Sequence, residues 1–280
     1  MRIGTRGSAL ALAQARQVAA LLGGEHELVE VVTSCDRGEA ESDKERWVRE
    51  LDRALLDGSI DCAVHSAKDV PATLPEGVVI AAVPPRADPR DALCGASALG
   101  ELAAGARVGT SSLRRAAQVR ALCPELSVVE VRGNVDTRLR KLSDGGYDAI
   151  VLAVAGLERL GRCDAGVPVD ELVPAAGQGC LAVTVRLGEE DRVAAIDDPP
   201  SARALLAERA LVRALEADCH TPVGAHAVVG AEGLTLRAFV GAADGSAWVR
   251  DELEGADPEA LGTEVARRLL SSGAREVLGA

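Results

Sequence analysis

The sequence predicts an α/β protein with parallel or mixed sheets, followed by a small α+β domain at the C-terminal end. Short apolar runs alternate with amphipathic helical stretches through the first two-thirds of the chain, the rhythm of βα units. That rhythm restarts after Pro84 and Pro85. It gives way after Pro199 and Pro200, where strand-like segments follow one another through glycine-containing turns.

Taken in order, residues 1–5 read as a strand and residues 9–22 as a helix with Ser8 as its N-cap. A strand over 28–32 follows. Residues 33–46 are polar and aperiodic, a loop of the length that often serves as a lid. A helix over 47–56 ends at Gly58. The strand over 62–65 enters a turn at Val70 and Pro71, and the strand over 78–83 is closed by Pro84 and Pro85. In the second round, Arg107 and Val108 lead into the GTSS at 109–112 and a helix through Leu122. A strand over 128–131 precedes a helix opened by Gly133 and Asn134 and running through Leu142. The strand over 149–154 is followed by a helix to Leu160, and a further strand covers 181–185. The last part reads as a helix over 202–216, strands over 227–230, 234–240 and 247–253, and a helix over 258–270.

Composition narrows the function classes. With 280 residues, 48% hydrophobic and 26% charged, the chain has the make-up of an ordinary globular protein. Aromatics are 1%, so the cores must be aliphatic, and few rings are left to stack on nucleic-acid bases. A net charge of −12 also argues against a surface for a phosphate backbone. No apolar run reaches membrane-spanning length, and the residues after Arg2 lack the apolar core of a secretion signal. Seven cysteines with no CxxC spacing indicate neither a metal site nor a disulfide framework. A cytoplasmic protein with reduced thiols and no metal is expected.

Against this acidic background, cations gather at strand-to-helix junctions. Thr110, Ser111 and Ser112 precede Arg114 and Arg115 where free backbone N–H groups and a helix dipole would favour an anion. Adjacent arginines point to different sides of a helix, so they would reach two anionic groups. A capped surface helix with solvated arginines explains the same residues. Arg132 and Arg138 flank the next junction, and Arg6 with Ser8 marks another after the opening strand. Arginine suits carboxylates because its planar fork binds them in bidentate fashion. Lys68 and Asp69 follow a buried strand and precede Pro71. Lys68 would favour the charged carboxylate, while bound substrate carboxylates would raise its pKa, the balance a proton shuttle needs. A plain turn aspartate is the alternative. His65 reads as a hydrogen-bonded core or turn residue. Cys219, beside His220 on a loop, is the nucleophile candidate among the cysteines, with a structural thiol as the alternative. Together these residues suggest a cleft for a ligand carrying many carboxylates or phosphates, with one acid inside it.

The segments RIGTRGSALALAQA from Arg2, AVHSAKDVPATLPEG from Ala63, VGTSSLRRAAQ from Val108, VRGNVDTRLRKL from Val131, AAGQGCLAV from Ala175 and ALEADCHTPVGAHA from Ala214 resemble the porphobilinogen deaminase (hydroxymethylbilane synthase) family, in its order and spacing. The resemblance implies two periplasmic-binding-protein-like domains with mixed sheets, 1–86 with 180–198 and 87–179, plus a small α+β domain, 199–280. It implies condensation of four porphobilinogen molecules head to tail into hydroxymethylbilane, with ammonia released at each step. The product would pass to uroporphyrinogen-III synthase. A dipyrromethane cofactor, itself made from substrate, would be held by a thioether to Cys219. Lys68, Ser112, Arg114, Arg115, Arg132 and Arg138 would bind cofactor carboxylates. Arg6, Ser8, Thr110, Ser111 and Gln178 would bind substrate, and Asp69 would carry proton transfer and stabilise cationic pyrroles. A monomer is expected.

The chain departs from the family where a glycine–lysine–glycine–leucine–phenylalanine stretch is usual and DKERW stands at 43–47. Lys44 aligns with a basic lid residue, and Trp47 would take the aromatic's place or pack on the helix. Cys35 replaces part of another usual pattern. The rival reading is a non-enzymatic two-lobed binding protein for a polycarboxylate, which would give Asp69 and Cys219 no role. A family member that has lost activity is a second rival.

Overall fold

The structure is a computed structural model that describes residues 1–31, 44–218 and 220–279, without the side chains of 44–47. The expectations for the lid loop, Cys35, the side chains of Lys44 and Trp47, and Cys219 itself lie outside the described residues.

The chain forms two compact units, Met1–Ala87 with Gly179–Leu205, and Asp88–Gln178 with Leu206–Ala280. In the one, β1 (Arg2–Thr5), α1 (Ala9–Leu22), β2 (Glu27–Glu30), α2 (Lys44–Leu56), β3 (Cys62–Ser66) and β4 (Val78–Ala82) alternate as the sequence predicts. In the other, β5 (Asp91–Cys94) precedes β6 (Arg107–Gly109), α3 (Leu113–Leu122), β7 (Ser127–Val129), α4 (Val135–Ser143), β8 (Ala149–Ala153), α5 (Val154–Arg159) and β9 (Val167–Val169). The chain then enters β10 (Leu181–Arg186) of the former unit.

The two five-stranded sheets share one topology. Their orders are β2-β1-β3-β10-β4 and β7-β6-β8-β5-β9. In each, a central strand runs antiparallel to both neighbours: β10 against β3 and β4, and β5 against β8 and β9. The remaining described pairings are parallel, with Ile3 opposite Leu28 and Cys62, and Val108 opposite Val128 and Ala149. Both sheets are mixed, as expected.

Side chains alternate between the faces of each sheet with the two-residue period of a strand. In β3, Cys62 and Val64 pack with Val18 of α1, and Ala63 packs with Leu51 and Leu55 of α2. In β8, Val151 packs with Val119 of α3, and Ile150 and Leu152 pack with Leu157 of α5. Both faces are covered, which is why these strands read as unbroken apolar runs.

Several elements differ from the sequence expectation: the strand expected over 227–230 is Val223–Val229, the helix expected over 202–216 is Pro199–Ala214, and a helix over Ala274–Leu278 was not expected. β5 and β9 were not expected; β9 contains Pro168 and sits at a sheet edge, where a missing N–H breaks no central ladder. The α2 helix begins at Lys44, three residues before the expected start at 47.

The C-terminal part follows α6 (Pro199–Ala214), which Glu216 closes with φ of 53°, the left-handed conformation common after helix ends. An antiparallel sheet of β11 (Val223–Val229), β12 (Leu234–Gly241) and β13 (Trp248–Gly255) is covered by α7 (Pro258–Ser271), which buries Leu261, Val265 and Leu269. A short α8 (Ala274–Leu278) follows. Phe239 of β12 is fully buried against Ala117 of α3 and Val173.

Candidate functional site

In the unit containing β1, two predicted junctions meet at one sheet edge. β1 and β3 are parallel neighbours, so Arg6 after β1 and Lys68 and Asp69 after β3 leave from the same end. Ser8 caps α1, its Oγ accepting from Ala11 N at 3.2 Å. A 3-10 turn over Ala67–Asp69 follows β3, and Val70 N donates to Ala67 O at 3.2 Å. Lys68, Asp69, Arg6 and Ser8 are half-buried. His65, buried behind them, has its Nε2 3.1 Å from Thr184 Oγ1. Burial pushes its pKa down to about 4; Asp69 opposes that shift and Arg6 adds to it. A neutral, hydrogen-bonded core histidine is what the sequence suggested.

In the other unit, β6 and β7 are parallel neighbours and bring the GTSS and Arg132 junctions to a common edge. Thr110 Oγ1 accepts from Ser112 N at 3.1 Å, and Ser112 Oγ accepts from Arg115 N at 3.4 Å as the N-cap of α3. Thr110 is buried, Ser112 half-buried and Ser111 exposed. Asn134 caps α4 by accepting from Thr137 N at 2.9 Å. Gly133 holds φ of 122°, and its carbonyl accepts from Arg138 Nε at 2.7 Å. Arg138 is half-buried, with its pKa lowered by burial and then by the nearby Arg115. Arg132 is exposed, its Nε 2.7 Å from Glu130 Oε1.

Arg114 and Arg115 are only 4% and 6% exposed and converge on one carboxylate, Asp91 at the head of β5. This corrects the expectation that they reach two anionic groups. Arg114 Nη1 lies 2.7 Å from Asp91 Oδ2 and Nη2 lies 3.1 Å from Oδ1. Arg115 Nε donates to Asp91 Oδ1 at 2.9 Å. Successive helix residues diverge by about 100°, but both side chains are long enough to fold back onto a strand lying beside them. Further bonds run to Val173 O from Arg114 Nη1 at 2.7 Å and to Val151 O from Arg115 Nη1 at 2.9 Å. Arg114 Nε is buried without a hydrogen-bond partner.

Burial alone would raise the pKa of Asp91, but the two guanidiniums and Gln178 hold it well below the usual carboxylate range. Gln178 is buried, and its Nε2 donates to Asp91 Oδ1 at 2.8 Å and Pro89 O at 2.7 Å. Gly177 and Gly179, with φ of 73° and 89°, turn the chain on both sides of it. A Cβ on Gly179 would overlap the carbonyl oxygen of Ala87. Asp91 is the residue that sequence reasoning missed, as is Glu208. Buried in α6, Glu208 accepts from Gly177 N at 2.6 Å and Ala227 N at 2.8 Å.

Hydrogen bonds join the residues on either side of Cys219. Asp218 Oδ1 accepts from His220 N at 2.8 Å and Thr221 Oγ1 at 2.7 Å. Burial tends to raise the Asp218 pKa, but these bonds bring it below its ordinary value. Of the other described cysteines, Cys62, Cys94, Cys123 and Cys180 are buried and Cys163 is exposed. Burial pushes Cys62 up to about 12 and Cys94 up to about 11, so neither presents a thiolate near neutral pH. Among the described residues no group of three or more histidines, cysteines or acids could hold a metal ion. No described helix is long and apolar enough to cross a membrane.

Residues 1–194 match the family model "Porphobilinogen deaminase, dipyromethane cofactor binding domain", and residues 202–271 match "Porphobilinogen deaminase, C-terminal domain". The porphobilinogen deaminase of Rubrobacter xylanophilus is 50% identical over 292 residues, covering 99% of this chain and 96% of that protein. The porphobilinogen deaminase of Thermus thermophilus is 46% identical over 292 residues, covering 99% of this chain and 97% of that protein. Among solved structures, the methionine binding protein MetQ is similar with a TM-score of 0.44 and 16% identity, covering 73% of this chain and 94% of that one. With two family models spanning most of its length and close relatives matched nearly end to end, the chain belongs to the porphobilinogen deaminase family.

Proposed function

We propose that this protein condenses four porphobilinogen molecules head to tail into hydroxymethylbilane and releases ammonia at each addition. The observation that supports this best is the placement of cations at the carboxyl ends of adjacent parallel strands in both sheets, beside β1 and β3 and beside β6 and β7. Strand carboxyl ends are where open α/β sheets bind ligands. The substrate carries an acetate and a propionate on each ring, so a growing chain brings carboxylates that such junctions can hold.

The donor set fits the family's dipyrromethane cofactor. Arg114 Nε is a buried donor that no acceptor among the described residues satisfies, and a carboxylate would satisfy it. Arg114 and Arg115 would together hold that one carboxylate, Arg132, Arg138, Lys68 and Ser112 the remaining ones, and the Cys219 sulfur would form the thioether. When bound, the dipyrromethane supplies the pyrrole carbon to which substrate is joined. Arg6, Ser8, Thr110, Ser111 and Gln178 would orient incoming substrate. Asp69, half-buried beside Lys68, would offset the positive charge that develops on the substrate ring as ammonia leaves, and would then take up the ring proton.

The reading extends to a monomer in the cytoplasm, with domains 1–86 plus 180–198, 87–179 and 199–280, whose product is consumed by uroporphyrinogen-III synthase. Denaturing mass spectrometry of the intact chain, with peptide mapping around Cys219, tests it. A mass excess of two condensed pyrrole units on Cys219 is expected. A Cys219 that stays unmodified even after exposure to porphobilinogen or preformed hydroxymethylbilane would overturn the assignment.

A further inference from the structure

The geometry points to Asp91 as the positioning residue of the Arg114–Arg115 pair, and as the group that limits the pair to one incoming carboxylate. This rests on the proposed binding role of the two arginines.

Both guanidiniums are buried in the opening turn of α3, a turn that contains no acid. The helix N-terminus adds its own partial positive charge there. Two buried cations at that position, left uncompensated, would disfavour folding strongly. Asp91 is fully buried, and it is the carboxylate in every described ion pair of Arg114 and Arg115. It offsets one of the two charges and leaves a net of one. It also fixes where that remaining charge is displayed. Arg114 is clamped by both Nη atoms to the two Asp91 oxygens, and Arg115 by Nε, with Val173 O and Val151 O holding the other sides. Among the described residues, Arg114 Nε–H is a buried donor left without an acceptor.

The arrangement therefore matches one monoanionic group in charge, with Arg114 Nε–H as a donor for it. A ligand that carries many carboxylates would place one of them here, and a second would meet no uncompensated cation in the pair. Asp91 reaches the ligand only through the arginines.

Thermal unfolding of the purified protein carrying its cofactor, whose carboxylate would already fill the one place the wild-type pair offers, with acetate replacing chloride at constant ionic strength, tests the charge count. In Asp91→Asn the pair carries one more uncompensated cation, so acetate should stabilise it as an added ligand. The unfolding midpoint should rise by about 4 °C for each tenfold increase in acetate above its dissociation constant. The wild type should move by less than about 1 °C over the same range. An Asp91→Asn midpoint no more responsive than wild type would overturn the proposal, because a purely structural strut would lower the midpoint without making it acetate-dependent.

The double variant Asp91→Asn with Arg114→Met restores the net charge and should return the acetate response to the wild-type level. A persistent response would count against the proposal. If Asp91→Asn alone does not fold, recovery of folding in the double variant supports the charge count, and failure to recover rejects it. The proposed activity is judged separately, by the adduct on wild-type Cys219. That adduct can be present while the acetate test fails.

Discussion

Gln178 Nε2 and Asp91 Oδ1 are 2.8 Å apart, and both residues stand next to points where the chain passes from one compact unit to the other. Gln178 also holds Pro89 O at 2.7 Å, so one buried amide ties the segment that leads into β5 to the carboxylate that anchors both arginines. Replacing it with Leu removes both bonds, from the buried Asp91 carboxylate and from the half-buried Pro89 carbonyl, which should cost about 1–3 kcal/mol. Gln178→Glu should cost more at neutral pH, because a second carboxylate would face Asp91, and should recover on acidification. Urea unfolding at two pH values measures both. Wild-type stability in the Leu variant would show that the amide contributes nothing.

Asp69→Asn preserves shape at a half-buried turn whose backbone is closed by Val70 N and Ala67 O. The fold should persist, while turnover should fall by roughly 10²–10⁴-fold, the usual range for loss of a proton-transfer group. Ammonia release under saturating porphobilinogen, paired with circular dichroism, separates the two effects. Turnover within a few-fold of wild type would remove Asp69 from the mechanism.

Gly133→Ala addresses the Arg132–Arg138 junction. A Cβ at φ of 122° would be strained and would lie 2.7 Å from Thr137 Cγ2. Destabilisation of about 1–3 kcal/mol is expected. Because Gly133 O also accepts from Arg138 Nε, KM for porphobilinogen should rise as Arg138 shifts. Adding Thr137→Ser deletes the clashing methyl and should restore part of the stability but not the strain in φ. If the second change restores nothing, the contact with Thr137 is not the cause.

The local signals in the sequence were read directly. Ser8 caps the helix it was expected to cap, and Ser112 and Asn134 cap helices that were expected to open there. The apolar runs became central strands because both faces of each sheet are covered. β5 was not legible because it is four residues long, begins with a charged Asp91 and lies between Pro89 and Gly95, which together read as a loop. The same gap hid the anchor of the site. Arg114 and Arg115 were visible as cations, but their partner lies 23 and 24 residues away on a strand the pattern did not reveal. Pro168 concealed β9 for a related reason, since proline argues against a strand unless an edge position is known. Gln178 was expected as a ligand contact, and its buried role beside Asp91 depends on the left-handed glycines on either side.

Two buried groups in the unit containing β3 should oppose each other as pH changes. Asp52 of α2 is 7% exposed, and its Oδ1 has no hydrogen-bond partner among the described residues. Burial raises its pKa to about 6, so the folded state holds its proton more tightly than the unfolded chain does. Its penalty is absent below the unfolded value of about 4, grows as pH rises, and is complete above about 6. His65 behaves in the opposite sense. Burial lowers its pKa to about 4, so folding favours the neutral ring; its contribution is complete above the unfolded value of about 6.5 and is lost as pH falls through the folded value. Each swing is worth roughly 3 kcal/mol at 1.36 kcal/mol per pKa unit. Between pH 4 and 6 the two should largely cancel in the wild type. Asp52→Asn should expose the histidine term, so that the variant loses stability relative to wild type as pH falls from 6 to 4. His65→Gln should show the reverse, a relative gain over the same window. Unfolding free energies measured across it for wild type, both single variants and the double variant check the cancellation. Parallel pH profiles for all four would show that neither group is shifted by folding.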